Sequence, residues 1–112
     1  MWDDVGPAFG ELLNVETTHE GTDAVLRLTG ELDMSSAEWF GACVGTVLAS
    51  DPRSIRIDAQ GLTFLDSSGL RSLLLARRAA DQAGVAFHVS DPSRPLRNMV
   101  ERTGVQDLFL EE

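Results

Sequence analysis

The stretch Ser54–Val89, SIRIDAQGLTFLDSSGLRSLLLARRAADQAGVAFHV, decides the fold. It opens with the alternating, β-branched segment Ser54–Asp58. It closes with another apolar segment, Val85–Val89. Between them, Leu70, Leu73, Leu74, Ala76 and Ala80 recur at helical spacing, while Arg71, Arg77, Arg78, Asp81 and Gln82 occupy the other side. Gly84 follows as a helix stop. A strand, a helix of about sixteen residues from Ser67 or Ser68 to Gln82, and a second strand make a βαβ unit, which implies parallel pairing.

Working outward, Leu12–Thr18 and Ala24–Thr29 read as two strands. The turn Glu20-Gly21-Thr22-Asp23 makes them a hairpin, with Gly21 free to take positive φ. Gly30-Glu31-Leu32-Asp33 reads as a loop. Ser35-Ser36-Ala37-Glu38 has the form of a capping box and predicts a helix starting near Ser35, with Ala37, Phe40, Val44, Val47 and Leu48 on one side and Asp51-Pro52 as its end. Gly41 and Gly45 weaken that helix by up to about 1 kcal/mol each. Asp91-Pro92-Ser93 opens a third helix carrying Leu96, Met99 and Val100, with Gly104 as its stop; Val105–Leu110 returns as a short strand. The predicted order is ββαβαβαβ, an α/β domain with a mixed, mostly parallel sheet, an N-terminal hairpin and crossover helices. Residues 1–10 are expected to form an arm and 11–112 the domain.

Composition narrows the function classes. The chain has 112 residues, 43% of them hydrophobic, which suits one small globular domain. Its net charge is −9, and all nine basic residues are arginine. A binder of nucleic acid or of an anionic membrane gains affinity from positive charge, so neither partner is expected. Cys43 stands alone, which excludes an internal disulfide and a multi-cysteine metal cluster. His19 and His88 have no companions at ligand spacing, so no metal and no cofactor is expected. The first residues carry neither positive charge nor an apolar run, so a cytoplasmic protein is expected.

Function is sought beyond the carboxyl ends of the parallel strands. Two segments qualify: Thr29–Asp33, TGELD, and Leu65–Leu70, LDSSGL. On spacing alone Asp66-Ser67-Ser68 also reads as a helix cap, and Asp33 as a cap for the first helix. A hydrolase with Ser67 as nucleophile lacks the G-x-S-x-G elbow, because Leu65 stands at its first glycine position, and neither histidine is an evident base. No enzyme activity is expected.

Three segments in order, TGELD at 29–33, LTFLDSSGL at 62–70 and SDPSRPLRNMVERTGVQDLF at 90–109, resemble the STAS domain of bacterial anti-sigma factor antagonists. The resemblance implies a partner-switching protein. Ser67 would be the serine that takes phosphate from an anti-sigma factor, itself a serine kinase of the histidine-kinase-like ATPase fold. The unmodified form would bind that kinase and free the sigma factor; a phosphoserine phosphatase would reset the switch. The resemblance implies partner contacts from Glu31, Asp33, Asp66, Ser67, Ser68 and Gly69, with Asp33 beside the modified serine and Gly69 leaving room for the kinase backbone. A STAS module without the switch, a scaffold or transport accessory, is the alternative.

Overall fold

The computed structural model describes residues 12–104. The arm 1–10 and the strand expected at Val105–Leu110 lie outside the described residues. Within them the order is β1 (Leu13–Glu20), β2 (Asp23–Leu32), α1 (Ala37–Ala49), β3 (Ser54–Leu65), α2 (Ser67–Gln82), β4 (Ala86–Ser90) and α3 (Arg94–Thr103). The four strands lie side by side in chain order. The pair β1–β2 is antiparallel, closed by a two-residue turn with Gly21 at φ +67°. The pairs β2–β3 and β3–β4 are parallel. A sheet wound in chain order with right-handed crossovers places both crossover helices on one face, and α1 and α2 do pack against each other.

The period-2 alternation sorts the two faces. Ala24, Leu26 and Leu28 of β2, Ile55, Ile57 and Ala59 of β3, and Phe87 and Val89 of β4 point into one core. Phe40, Val44 and Val47 of α1 close over it, as do Leu70, Leu73, Ala76 and Ala80 of α2. The other face carries an ion-pair ladder: Arg27 reaches Glu16 at 3.6 Å and Asp58 at 3.2 Å across three neighbouring strands. Strand β4 stops at Ser90, opposite Asp58, and α3 packs against β3. Leu96 and Val100 of α3 enter the core, and Gly104 ends the helix at φ +72°.

Three readings of local structure need correction. The segment 30–32 is not a loop: β2 runs to Leu32, because β3 is also longer than expected and pairs with it to the end, Glu31 with Phe64 and Leu32 with Leu65. Strand β3 does not stop at Asp58. Gln60-Gly61 is an irregularity within it, where the register slips and the Gln60 N–H turns to the Asp58 carboxylate at 3.1 Å. A glycine is required there, since a Cβ on Gly61 would lie 2.7 Å from the Leu28 carbonyl oxygen. The Ser35/Glu38 capping box does not form. Helix α1 starts at Ala37, and Ser36, at its N-cap, makes no side-chain capping bond.

Candidate functional site at the ends of β2 and β3

The register of the central pair builds the site. Leu32 and Leu65 are partners on neighbouring parallel strands, so the chain leaves the sheet at Asp33 and Asp66 side by side. The β2–α1 and β3–α2 connections therefore meet at one end of the sheet.

Each connection is held by short polar contacts. Asp33 Oδ1 accepts from the Ser35 N–H at 2.9 Å and the Ser35 hydroxyl at 2.7 Å. The Ser35 hydroxyl is the main reason its carboxyl is held below the usual carboxylate value, with the Ser35 and Ser36 N–H groups adding to it. Ser36 is wholly buried. Its hydroxyl donates to the Glu31 carbonyl at 2.8 Å and accepts from the Asp33 N–H at 3.0 Å, which pins the turn from both sides. Glu31 itself is half-buried, and its N–H donates to the Leu12 carbonyl at 2.6 Å.

Asp66 is the N-cap of α2, with Oδ1 accepting from the Gly69 N–H at 2.9 Å. The cap reading of this residue is correct. Ser67 is the first helical residue and is exposed; among the described residues its hydroxyl has no hydrogen-bond partner. Ser68 is half-buried. Ser72 is buried and donates to the Gly69 carbonyl at 2.7 Å. Of the three serines at this end of α2, Ser67 alone combines exposure with a hydroxyl unpaired among the described residues.

Gly69 has a role within the fold. It is buried, and a Cβ built on it would run into the Leu32 carbonyl oxygen and stand 3.0 Å from Leu65 Cδ1. Its missing side chain lets α2 lie directly on the end of β2. The two connections are thus locked together through Leu32 and Gly69.

Beside Ser67 a groove of about 770 Å³ runs between α1 and α2. Met34, Glu38, Ser68 and Arg71 are among its lining, and Gly41 and Gly45 give α1 a low wall. Sequence reasoning missed both this groove and Ser36. The i, i+4 spacing of the two glycines was the available sign of the groove. Nothing in the sequence distinguishes Ser36 from Ser35.

His19 lies near the hairpin end of β1, at the far end of the sheet from Ser67. His88 is on β4, in register with Arg56. Among the described residues no cluster of His, Cys, Asp or Glu could hold a metal ion, and no helix is long and apolar enough to cross a membrane.

A family model described as Mlab, STAS domain matches residues 15–111. The chain belongs to the STAS family, among the anti-sigma factor antagonists. A curated relative, the anti-sigma-F factor antagonist RsfB of Mycobacterium tuberculosis, is 33% identical over 84 residues, covering 72% of this chain and 68% of the relative. A crystal structure of an anti-sigma factor antagonist from Mycobacterium paratuberculosis superposes with a TM-score of 0.78 at 25% identity, over 87% of this chain and 82% of that one. The Bacillus cell fate determinant SpoIIAA, solved in its phosphorylated form, superposes with a TM-score of 0.63 at 25% identity, over 89% and 90%. The STAS sheet order and the lock of Gly69 on Leu32 thus give the family's motif segments, TGELD and LDSSGL, a common end of the molecule.

Proposed function

We propose that this STAS protein is a phosphorylation-controlled antagonist acting in the bacterial cytoplasm. Its unmodified form binds an anti-sigma factor that is also a serine kinase of the histidine-kinase-like ATPase fold, and the sigma factor is released. The γ-phosphoryl group of ATP passes to Ser67 Oγ, the hydroxyl proton leaves to a base on the kinase, and ADP departs. The complex then separates, and a phosphoserine phosphatase restores the hydroxyl. Glu31, Asp33, Asp66, Ser67 and Ser68 border the contact, with Gly69 setting its shape from beneath. The name of RsfB and the phosphorylated form of SpoIIAA support this reading.

The observation that carries it is the exposed Ser67 hydroxyl, without a hydrogen-bond partner among the described residues, on a helix start capped by Asp66. Phosphate there adds about −1.5 to −2 charges at pH 7. A helix N-terminus favours such charge by about 0.3–1 kcal/mol, so the fold tolerates what a closely packed partner does not. Isothermal titration of the purified partner tests the switch. Ser67→Ala and unmodified wild type bind most tightly, Ser67→Asp more weakly, and phosphorylated wild type most weakly, since aspartate brings one charge and less bulk. Each tenfold step is about 1.4 kcal/mol. An aspartate variant that binds as tightly as alanine refutes charge at Ser67 as the switch and leaves a STAS scaffold or transport accessory.

A further inference from the structure

Ser67 and Arg71 stand four residues apart on α2 and are both exposed. Residues at this spacing are surface neighbours one turn apart, with Cβ atoms about 5–6 Å from each other. The order, acid before base along the helix, is the favourable one. The same spacing, in the opposite order, brings Arg77 to 3.7 Å from Asp81 lower down α2. Among the described residues Arg71 forms no ion pair. The carboxylates where the two strands end are engaged elsewhere, Asp66 by the Gly69 N–H and Asp33 by Ser35. Arg71 instead lines the groove that also takes in Met34 and Glu38.

We propose that Arg71 is the internal receptor for a phosphate on Ser67, closing a phosphate–guanidinium pair along the first turns of α2. The proposal rests on the reading of Ser67 as the phosphate acceptor. The planar guanidinium can meet two phosphate oxygens at once, which an ammonium cannot. Pairing holds the phosphate against α2 and draws the arginine away from the groove. One modification then changes the partner-facing surface at two places, adding negative charge at Ser67 and removing positive charge from the groove.

The test uses the full chain with phosphoserine installed at position 67 by genetic encoding, so no kinase is involved. A ³¹P NMR titration reads the second ionisation of the phosphate. The charged groups at this end of the sheet are Arg71, Asp66, Asp33, Glu31, Glu38 and the α2 N-terminus; the test variants change Arg71 alone and the control changes Arg78 alone. In Arg71→Ala the phosphate ionises about 0.3 pH unit higher than in wild type, with Arg71→Lys between them. Arg78→Ala, an exposed change on the same helix, leaves the value in place. The thermal stabilisation that phosphate confers on wild type shrinks in Arg71→Ala, and Arg71→Gln repeats both results with the side-chain bulk largely kept. Equal ionisation in wild type, Arg71→Ala and Arg71→Gln, or an equal shift in Arg78→Ala, overturns the role of Arg71. A kinase that fails to modify Ser67 sinks the functional reading instead, and the two failures are distinguishable.

Discussion

Gly69 is the residue at which one added atom disturbs most. A methyl group there meets the Leu32 backbone carbonyl, which cannot rotate away as a side chain can. Gly69→Ala is expected to destabilise by about 1–3 kcal/mol, despite alanine's better helix propensity. Thermal melts check this against Gly41→Ala and Gly45→Ala, where a Cβ meets nothing within 4 Å. Those two raise stability, by up to about 1 kcal/mol each. Asp33 makes a second prediction at this scale. Its folded pKa is depressed, so its contribution is fully present above the ordinary carboxylate value near 4 and is lost as pH falls through the folded value. Ser35→Ala removes the largest cause. The stability gap between wild type and Ser35→Ala should be constant above about pH 5 and narrow on acidification below about pH 4. A gap that widens in acid contradicts the assignment.

Helix α2 ties the core to the site, and its phase decides which positions matter. Leu73 is fully buried and Arg78 is exposed on the same helix. Leu73→Asp is expected to unfold the domain or cost several kcal/mol, because a buried carboxylate would have no partner, while Arg78→Asp stays within about 0.5 kcal/mol of wild type. Denaturant titration separates the two, and equal midpoints would place the helix in another phase. The apolar stripe of α2 was legible in the sequence because burial here follows a 3.6-residue period. Its start at Ser67 was legible to within one residue because Asp66 is a working cap. The start of α1 was misread because Ser36 turns its hydroxyl to Glu31 and Asp33 instead of capping, a choice set by the turn that receives it.

At the scale of the whole molecule, the proposed switch needs no change of fold. The site is held by pairing that reaches Leu32 and Leu65, by the Ser36 bracket and by the Asp66 cap. Phosphorylation of Ser67 is therefore expected to shift backbone amide resonances in the connections after β2 and β3 and in the first turns of α2. Those of β1 and β4 should hardly move. Displacements spread through β4 and α3 would show that modification rearranges the domain. Trp39 illustrates a decision made only at this scale. Trp39 and Phe40 are adjacent and equally apolar in pattern, yet Phe40 is fully buried and Trp39 is 38% exposed, because α1 presents one of the two positions to the sheet.

The sequence by itself determined the mixed, mostly parallel α/β order of the described residues, the three helices and the two segments that carry the family's motifs. These depend on the spacing of apolar residues and on caps, which are local. Tertiary structure alone decided that β2 and β3 run on past Thr29 and Asp58, that Ser36 rather than Ser35 stands at the start of α1 with its hydroxyl turned to the β2–α1 turn, and that Gly69 serves helix–strand contact. It also made the groove between α1 and α2. Each of these depends on what lies across from a residue on another strand or helix, and a chain read along its length does not contain that neighbour.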